Sequence, residues 1–407
     1  MNQVIPFAKE ALRRAVSHQA VRLTGSVSAL VSQLRPVRPL YIFRPEQVVK
    51  TAQDFMRAFP GETMFAVKTN PHDTILLALA KAGMNSFDAA SIEEVRTVRR
   101  LLGARPKIYF MHTVKSPEAI AESYFKHRVR AFSLDCMEEL NKIITHTKHA
   151  KDLTLFVRLA LPRNDEATID FSGKFGASCD EAIALLKASR LQAAKIGLCF
   201  HVGTQTHDPS VYDRAVSIAA TVIRESGVSI DMLDVGGGFP VPYPGEEVPE
   251  LAACMDALSG ALVREKLDHI PLLAEPGRAL VAQSGSLVVR VELRKGDRLY
   301  INDGTYGGLF DAGKLLGQIY PARAMRVGGV TMSEEMAAFS LAGPTCDSLD
   351  MMEGPFMLPA DIRSGDWIEI EHLGAYSYSM RTNFNGFGAA DIVCLYEQRS
   401  AGKVKRA

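Results

Sequence analysis

Eight short apolar runs lie between residues 60 and 275, and a helix-forming stretch separates each from the next. No other feature limits the fold so strongly. The runs span residues 64–67, 86–89, 107–111, 131–134, 153–159, 195–200, 232–235 and 272–274. Strands joined by crossover helices run parallel and must be covered on both faces. Eight such units predict an α/β chain whose strands close into a TIM-like (β/α)8 barrel. Helix-start signals agree. Ser91-Ile92-Glu93-Glu94 reads as a capping box ahead of Val95, Val98 and Leu102, and Ser116-Pro117 supplies an N-cap with proline at the first helical position.

After Gly277 the texture changes. Strand-like runs at 286–293, 298–302, 366–372 and 392–397 follow one another without long helices, separated by turns rich in Gly and Pro. They predict a second, mainly antiparallel β domain. The chain therefore divides into a basic extension (1–38), a barrel (39–277) and a C-terminal β domain (278–407), with 39–43 placed to lend a strand to the β domain.

Composition narrows the function classes. At 407 residues the chain suits two domains, and 47% hydrophobic with 23% charged residues is globular. No apolar run is long enough to cross a bilayer, and a formal charge of +1 gives no ground for a nucleic-acid partner. The cysteines (Cys136, Cys179, Cys199, Cys254, Cys346, Cys394) form no CxxC pair, so reduced thiols in the cytoplasm are expected. Residues 1–38 carry Lys9, Arg13, Arg14, Arg22, Arg35 and Arg38 against Glu10. They lack the apolar core of a secretory signal, and an organellar transit peptide shares their Arg-rich character. A solvated helical extension is the preferred reading.

A barrel places its chemistry where strands end. Lys68 follows the run 64–67, Asp88 sits in 86–89, and Arg158 falls near the end of 153–159. His201 follows 195–200, Gly236-Gly237-Gly238 follows 232–235, and Glu275-Pro276-Gly277-Arg278 follows 272–274. A lysine at a desolvated mouth should have a lowered pKa and a nucleophilic amine; the plain alternative is a lysine snorkelling to water. Three glycines bring bare N–H groups to an anion, or simply form a turn. They match neither a Walker A loop nor GxGxxG. His201 and Glu275 fit structural roles equally well, and without HExxH or paired ligand spacing no metal is expected. In the second domain Cys346 adjoins Asp347 between strand runs, where a lone cysteine usually packs as a small apolar residue, and Tyr306 and Tyr376 lie close to glycines.

Taken in order, the segments containing Lys68, Asp88, Arg158, Lys174-Phe175-Gly176, His201-Val202-Gly203, the three glycines, residues 275–278, residues 302–307, Cys346-Asp347 and Tyr376 resemble the fold-type III pyridoxal-phosphate (PLP) decarboxylases, the ornithine and diaminopimelate decarboxylase family. Each motif alone is weak; the ordered set is specific. The resemblance implies an alanine racemase/ornithine decarboxylase-like fold and PLP held by Lys68 as a Schiff base. It implies that Glu275 bonds the pyridine nitrogen and that His201 stacks on the ring, with Asp88 and Arg158 nearby. Gly237, Gly238, Gly277, Arg278, Thr204 and Tyr376 would hold the phosphate, Thr204 standing where relatives often carry serine.

The implied reaction is decarboxylation of a basic amino acid, L-ornithine to putrescine and CO2 first. Cys346 would reprotonate Cα, a task suited to a thiol that is mostly protonated at neutral pH. Asp347, with Asp311 and Tyr306, would receive the distal end of the substrate. Relatives acting on diaminopimelate usually have Cys-Glu in place of Cys346-Asp347, which ranks that substrate behind ornithine and lysine. Those two differ by one methylene, and either or both fit. A racemase of the same fold and a noncatalytic regulatory homologue are the competing classes. Cys346-Asp347 argues against the first, and retention of Lys68, Glu275, the glycines and Cys346 against the second. Family members place the counterparts of Cys346 and Asp347 across a dimer interface, so a head-to-tail homodimer with shared sites is expected.

Overall fold

The computed structural model describes residues 21–163, 167–169 and 173–396. A parallel sheet curls round until its ends meet. Its strands run from Phe65–Ala66 through Ser86–Ala89, Lys107–Phe110, Ala131–Leu134, Thr154–Arg158, Lys195–Cys199 and Met232–Asp234 to Leu272–Ala274, which pairs with Glu62–Thr63. The first expected strand is therefore two short pieces either side of Met64. One piece bonds the last strand and the other bonds the second, while the Met64 N–H donates to Ala274 O at 2.8 Å. Val67, expected as the last residue of the strand, instead opens a 3-10 helix, Val67–Thr69. Counting the two pieces as one leaves eight strands, in the order the sequence predicts.

Alternate side chains along each strand enter different cores. Leu155 and Val157 face the helices, whereas Phe156 joins Met64, Tyr109, Met111, Cys199 and Leu273 inside the barrel. Burial of a side chain such as Phe156 contributes roughly 2–3 kcal/mol. It fits because Gly197 beside it is bare; a Cβ there would come within 2.4 Å of the ring.

The helix Ile92–Leu102 starts as half a capping box. Ser91 accepts from the Glu94 N–H at 3.2 Å, but the Glu94 carboxylate bonds the Ala90 N–H at 2.7 Å, one residue beyond its expected partner. A complete box caps Cys179–Arg190, through Ser178 and Glu181. Ser116 caps Pro117–Phe125 as its sequence predicts.

The second sheet is mixed. Leu40–Phe43 enters it, antiparallel to the start of Gly285–Lys295 and parallel to Asp391–Tyr396. Antiparallel pairings predominate, as between Gly285–Lys295 and Trp367–Ile370 and between Met336–Ala342 and Met351–Pro359. Part of the stretch read as a solvated extension belongs to this sheet. Val21–Thr24 pairs with Asp391–Tyr396, and the helix Val27–Leu34 buries Val27, Leu30 and Val31 against Leu40, Ile42 and Trp367. Their i, i+3, i+4 spacing is the signal the charge pattern obscured. Residues 1–20 lie outside the described residues. Among the described residues no helix is long and apolar enough to cross a membrane.

Candidate active site

The strand exits converge on a cavity of about 480 Å3. Lys68, Asp88, Arg158, His201 and Glu275 line it, together with Thr204, Gly237, Gly238, Gly277, Arg278, Asp311 and Tyr376. Among the described residues no cluster of His, Cys, Asp or Glu forms a metal site.

Lys68 rides on the 3-10 turn, with Nζ 3.5 Å from Asp88 Oδ2. That turn is held from the second domain. The Tyr376 N–H donates to Thr69 O at 3.0 Å, and Asn70 Nδ2 donates to Gly374 O at 2.8 Å. The expected fall in the Lys68 pKa does not occur. Desolvation opposes the ammonium, although 44% of the side chain stays exposed, but Asp88 and then Tyr376 and Glu275 outweigh it and hold the pKa above the usual lysine value. Proximity to carboxylates wins over enclosure.

Across the cavity Glu275 adjoins Asp234. Burial, then the charges of Asp234 and Asp88, push the Glu275 carboxyl well up. Asp234 is fully buried and pushed up to about 6, chiefly by burial, although its Oδ1 accepts from the Gly236 N–H at 2.9 Å. His201 is held well below the usual imidazole range by burial and then by Lys68 and Arg158. Its Nδ1 accepts from the Gly203 N–H at 3.1 Å, which assigns the ring proton to Nε2.

The glycine loop lies close against these groups. A Cβ on Gly237 would meet Glu275 O at 2.8 Å and His201 Nε2 at 3.0 Å. Gly238 adopts φ +99°, and a Cβ there would meet Gly203 O at 2.6 Å. Beside the loop, Arg278 donates to Tyr243 Oη at 3.0 Å and Asp311 Oδ2 at 2.8 Å, with the Tyr376 ring 4.9 Å from its Cζ. Its buried Nε has no hydrogen-bond partner. A glycine cradle, a fixed guanidinium with a spare desolvated donor, and a raised carboxyl facing a lysine suit a phosphorylated aldehyde with a basic ring nitrogen. The donor set fits PLP.

Cys346, Asp347 and Tyr306 lie elsewhere in the same chain, outside this cavity. Cys346 is exposed and bonds Asn385 Oδ1 through its thiol at 3.3 Å. Asp347 accepts from the Tyr306 hydroxyl and from the Leu349 N–H at 2.9 Å. Asp311 does line the cavity, but its carboxylate is committed to Arg278. Sequence reading missed Asp234, although an aspartate inside the apolar run 232–235 was its signal. It also missed His112, which follows a strand exit, lines the cavity and lies 5.2 Å from the Phe175 ring. Buried Lys115 fixes that segment by donating to the carbonyls of His112 at 2.8 Å and Ser133 at 2.6 Å.

Barrel, mixed sheet and cavity together define a PLP-dependent amino-acid carboxy-lyase. The chain belongs to the pyridoxal-dependent decarboxylase family: residues 45–282 match the family's pyridoxal-binding domain. It is 30% identical over 370 residues to the lysine/ornithine decarboxylase of Selenomonas ruminantium, covering 88% of this chain and 90% of that one. Ornithine decarboxylase of Schizosaccharomyces pombe is 31% identical over 357 residues, 82% of this chain and 78% of its own. The crystal structure of the Paramecium bursaria Chlorella virus arginine decarboxylase bound to agmatine superposes with a TM-score of 0.79 at 28% identity, over 90% of this chain and 98% of that one. The chain is thus a decarboxylase of basic amino acids.

Proposed function

We propose that the chain converts L-ornithine to putrescine and CO2, with lysine as its second substrate. The convergence of Lys68, Glu275, the glycine cradle and Arg278 on one cavity carries the reading. When bound, PLP supplies an aldehyde that captures an amino group and a ring that takes up the electron pair left as CO2 departs. Lys68 anchors the cofactor. Its ammonium must first lose a proton, which Asp88 at 3.5 Å opposes while it holds the side chain in place. Glu275, whose carboxyl holds its proton well above the usual range, would bond the ring nitrogen and keep it protonated, and neutral His201 would offer a flat face without adding charge. Gly237, Gly238, Gly277, Arg278, Thr204 and Tyr376 would hold the phosphate, and Arg158 would lie near the ring.

Substrate choice rests on a carboxylate at the distal end. Asp311 is already paired with Arg278, which leaves Asp347 to receive the distal ammonium, with Tyr306 orienting it. Asp347 and Cys346 reach such a site only from a second copy of the chain. Around them Leu349 is 61% exposed, Phe384 42% and Phe387 46%, an apolar face suited to burial in a head-to-tail homodimer. There Cys346 returns the proton to Cα. The scattered free thiols suit a cytoplasmic enzyme.

Ranking ornithine, lysine, arginine and meso-diaminopimelate by kcat/KM tests the substrate assignment, which fails if another substrate leads. Borohydride treatment of the holoenzyme should leave a pyridoxyl tag on Lys68; a tag elsewhere rejects the anchor.

A further inference from the structure

A second cavity lies apart from the one that holds Lys68. It encloses about 750 Å3 at the opposite end of the barrel, where Glu62, Lys107, Ala131, Thr154, Lys195, Met232 and Leu272 each begin a strand. Six cations line it (Arg99, Arg105, Lys107, Arg128, Arg130 and Lys195) against two carboxylates, Glu62 and Asp231.

Both carboxylates are already taken. Glu62 receives Lys107 at 2.8 Å and the Tyr109 hydroxyl at 3.1 Å, and Asp231 receives Arg190 at 2.7 Å. Arg130 pairs with Asp152 at 2.6 Å, outside the cavity. Among the described residues this leaves Arg99, Arg105, Arg128 and Lys195 without a carboxylate in ion-pair range. Arg99 is fixed in place by donating to the carbonyls of Pro106 at 2.7 Å and His127 at 2.9 Å. Burial and then the neighbouring Arg128 work against its charge, so two guanidiniums face one region with no anion between them. The chain as a whole carries only +1, so this excess is local. A concave, partly apolar wall focuses such a field and raises the local concentration of anions.

We propose that the barrel floor is a binding site for a small phosphorylated polyanion. Guanidiniums grip phosphate oxygens through paired N–H donors, and Tyr109, Met232 and Leu273 offer surface for an attached organic part. The site is separate from the cofactor cradle and stands whether or not ornithine is the substrate.

Tripolyphosphate titrated calorimetrically into the PLP-loaded enzyme at physiological ionic strength should bind saturably, one per chain. Arg105 and Arg128 are exposed and tie no element together, so Arg105→Glu with Arg128→Glu should fold normally and bind about tenfold more weakly or worse. The neutral pair Arg105→Gln with Lys195→Gln should give a smaller loss, which separates charge from damage to the fold. Absence of saturable binding, or an affinity unchanged by the charge reversal, overturns the proposal; the latter would place the anion elsewhere.

Discussion

Enclosure disfavours charge on Lys68 and on Glu275 alike, yet their neighbours drive the two apart. Lys68 keeps its proton because Asp88 faces it, and Glu275 gains one through burial first and then the charges of Asp234 and Asp88. Asp234 carries a measurable consequence. Its pKa rises from 3.8 to about 6, so the native state binds more protons than the unfolded chain across that window. Stability from this group is therefore full below about pH 4, declines as pH rises to about 6, and stays lost above that. Asp234→Asn should raise the Tm of cofactor-free protein relative to wild type more at pH 8 than at pH 4, by the equivalent of roughly 2 kcal/mol. Equal shifts at the two pH values would show that Asp234 is not strained by its charge. Lys68, His201 and Glu275 were legible in sequence because strand exits gather at one rim. The partner of Asp311 was not: Arg278 is 33 residues away, and only the closed barrel and the 3-10 turn at Phe310–Ala312 bring the two together.

Elements position these side chains through backbone contacts that leave little slack. Gly277 packs its bare Cα against the turn bearing Lys68, and a Cβ there would stand 2.1 Å from Thr69 Oγ1. Gly277→Ala should displace that turn, lowering stability by about 1–3 kcal/mol. It should also weaken PLP retention, read as loss of the absorbance of the bound cofactor on dialysis. Pairing it with Thr69→Ser, which keeps the hydroxyl, should give no rescue, whereas Thr69→Ala should give partial rescue. The same loss in all three variants would place the effect outside this contact. Strand identity was readable from apolar runs, but the split at Met64 was not. It arises because one segment must pair with the last strand and the second strand together, a demand of closure rather than of local propensity. The turn at 67–69 was hidden for the same reason: Val67 reads as strand until Thr69 O is seen accepting from Tyr376 in the other domain.

At the scale of the whole molecule, one chain does not assemble every group the proposed reaction requires. Lys68 lies in the barrel mouth, while Cys346 and Asp347 lie on an exposed face beside Tyr306 and Phe384, whose rings are 4.8 Å apart. If two copies meet head to tail, each site takes its lysine from one chain and its aspartate from the other. Lys68→Ala and Asp347→Ala homodimers are then both defective at low ornithine concentration, since every site in each lacks one group. Mixing and reassociating equal amounts produces heterodimers in which one site carries both defects and the other carries none. Random pairing makes half the dimers mixed, so activity should recover to about a quarter of wild type. A site built within one chain would gain nothing from mixing, because each chain would keep its own defect. Recovery that tracks the fraction of mixed dimers thus separates a shared site from an enclosed one without reference to which substrate is preferred.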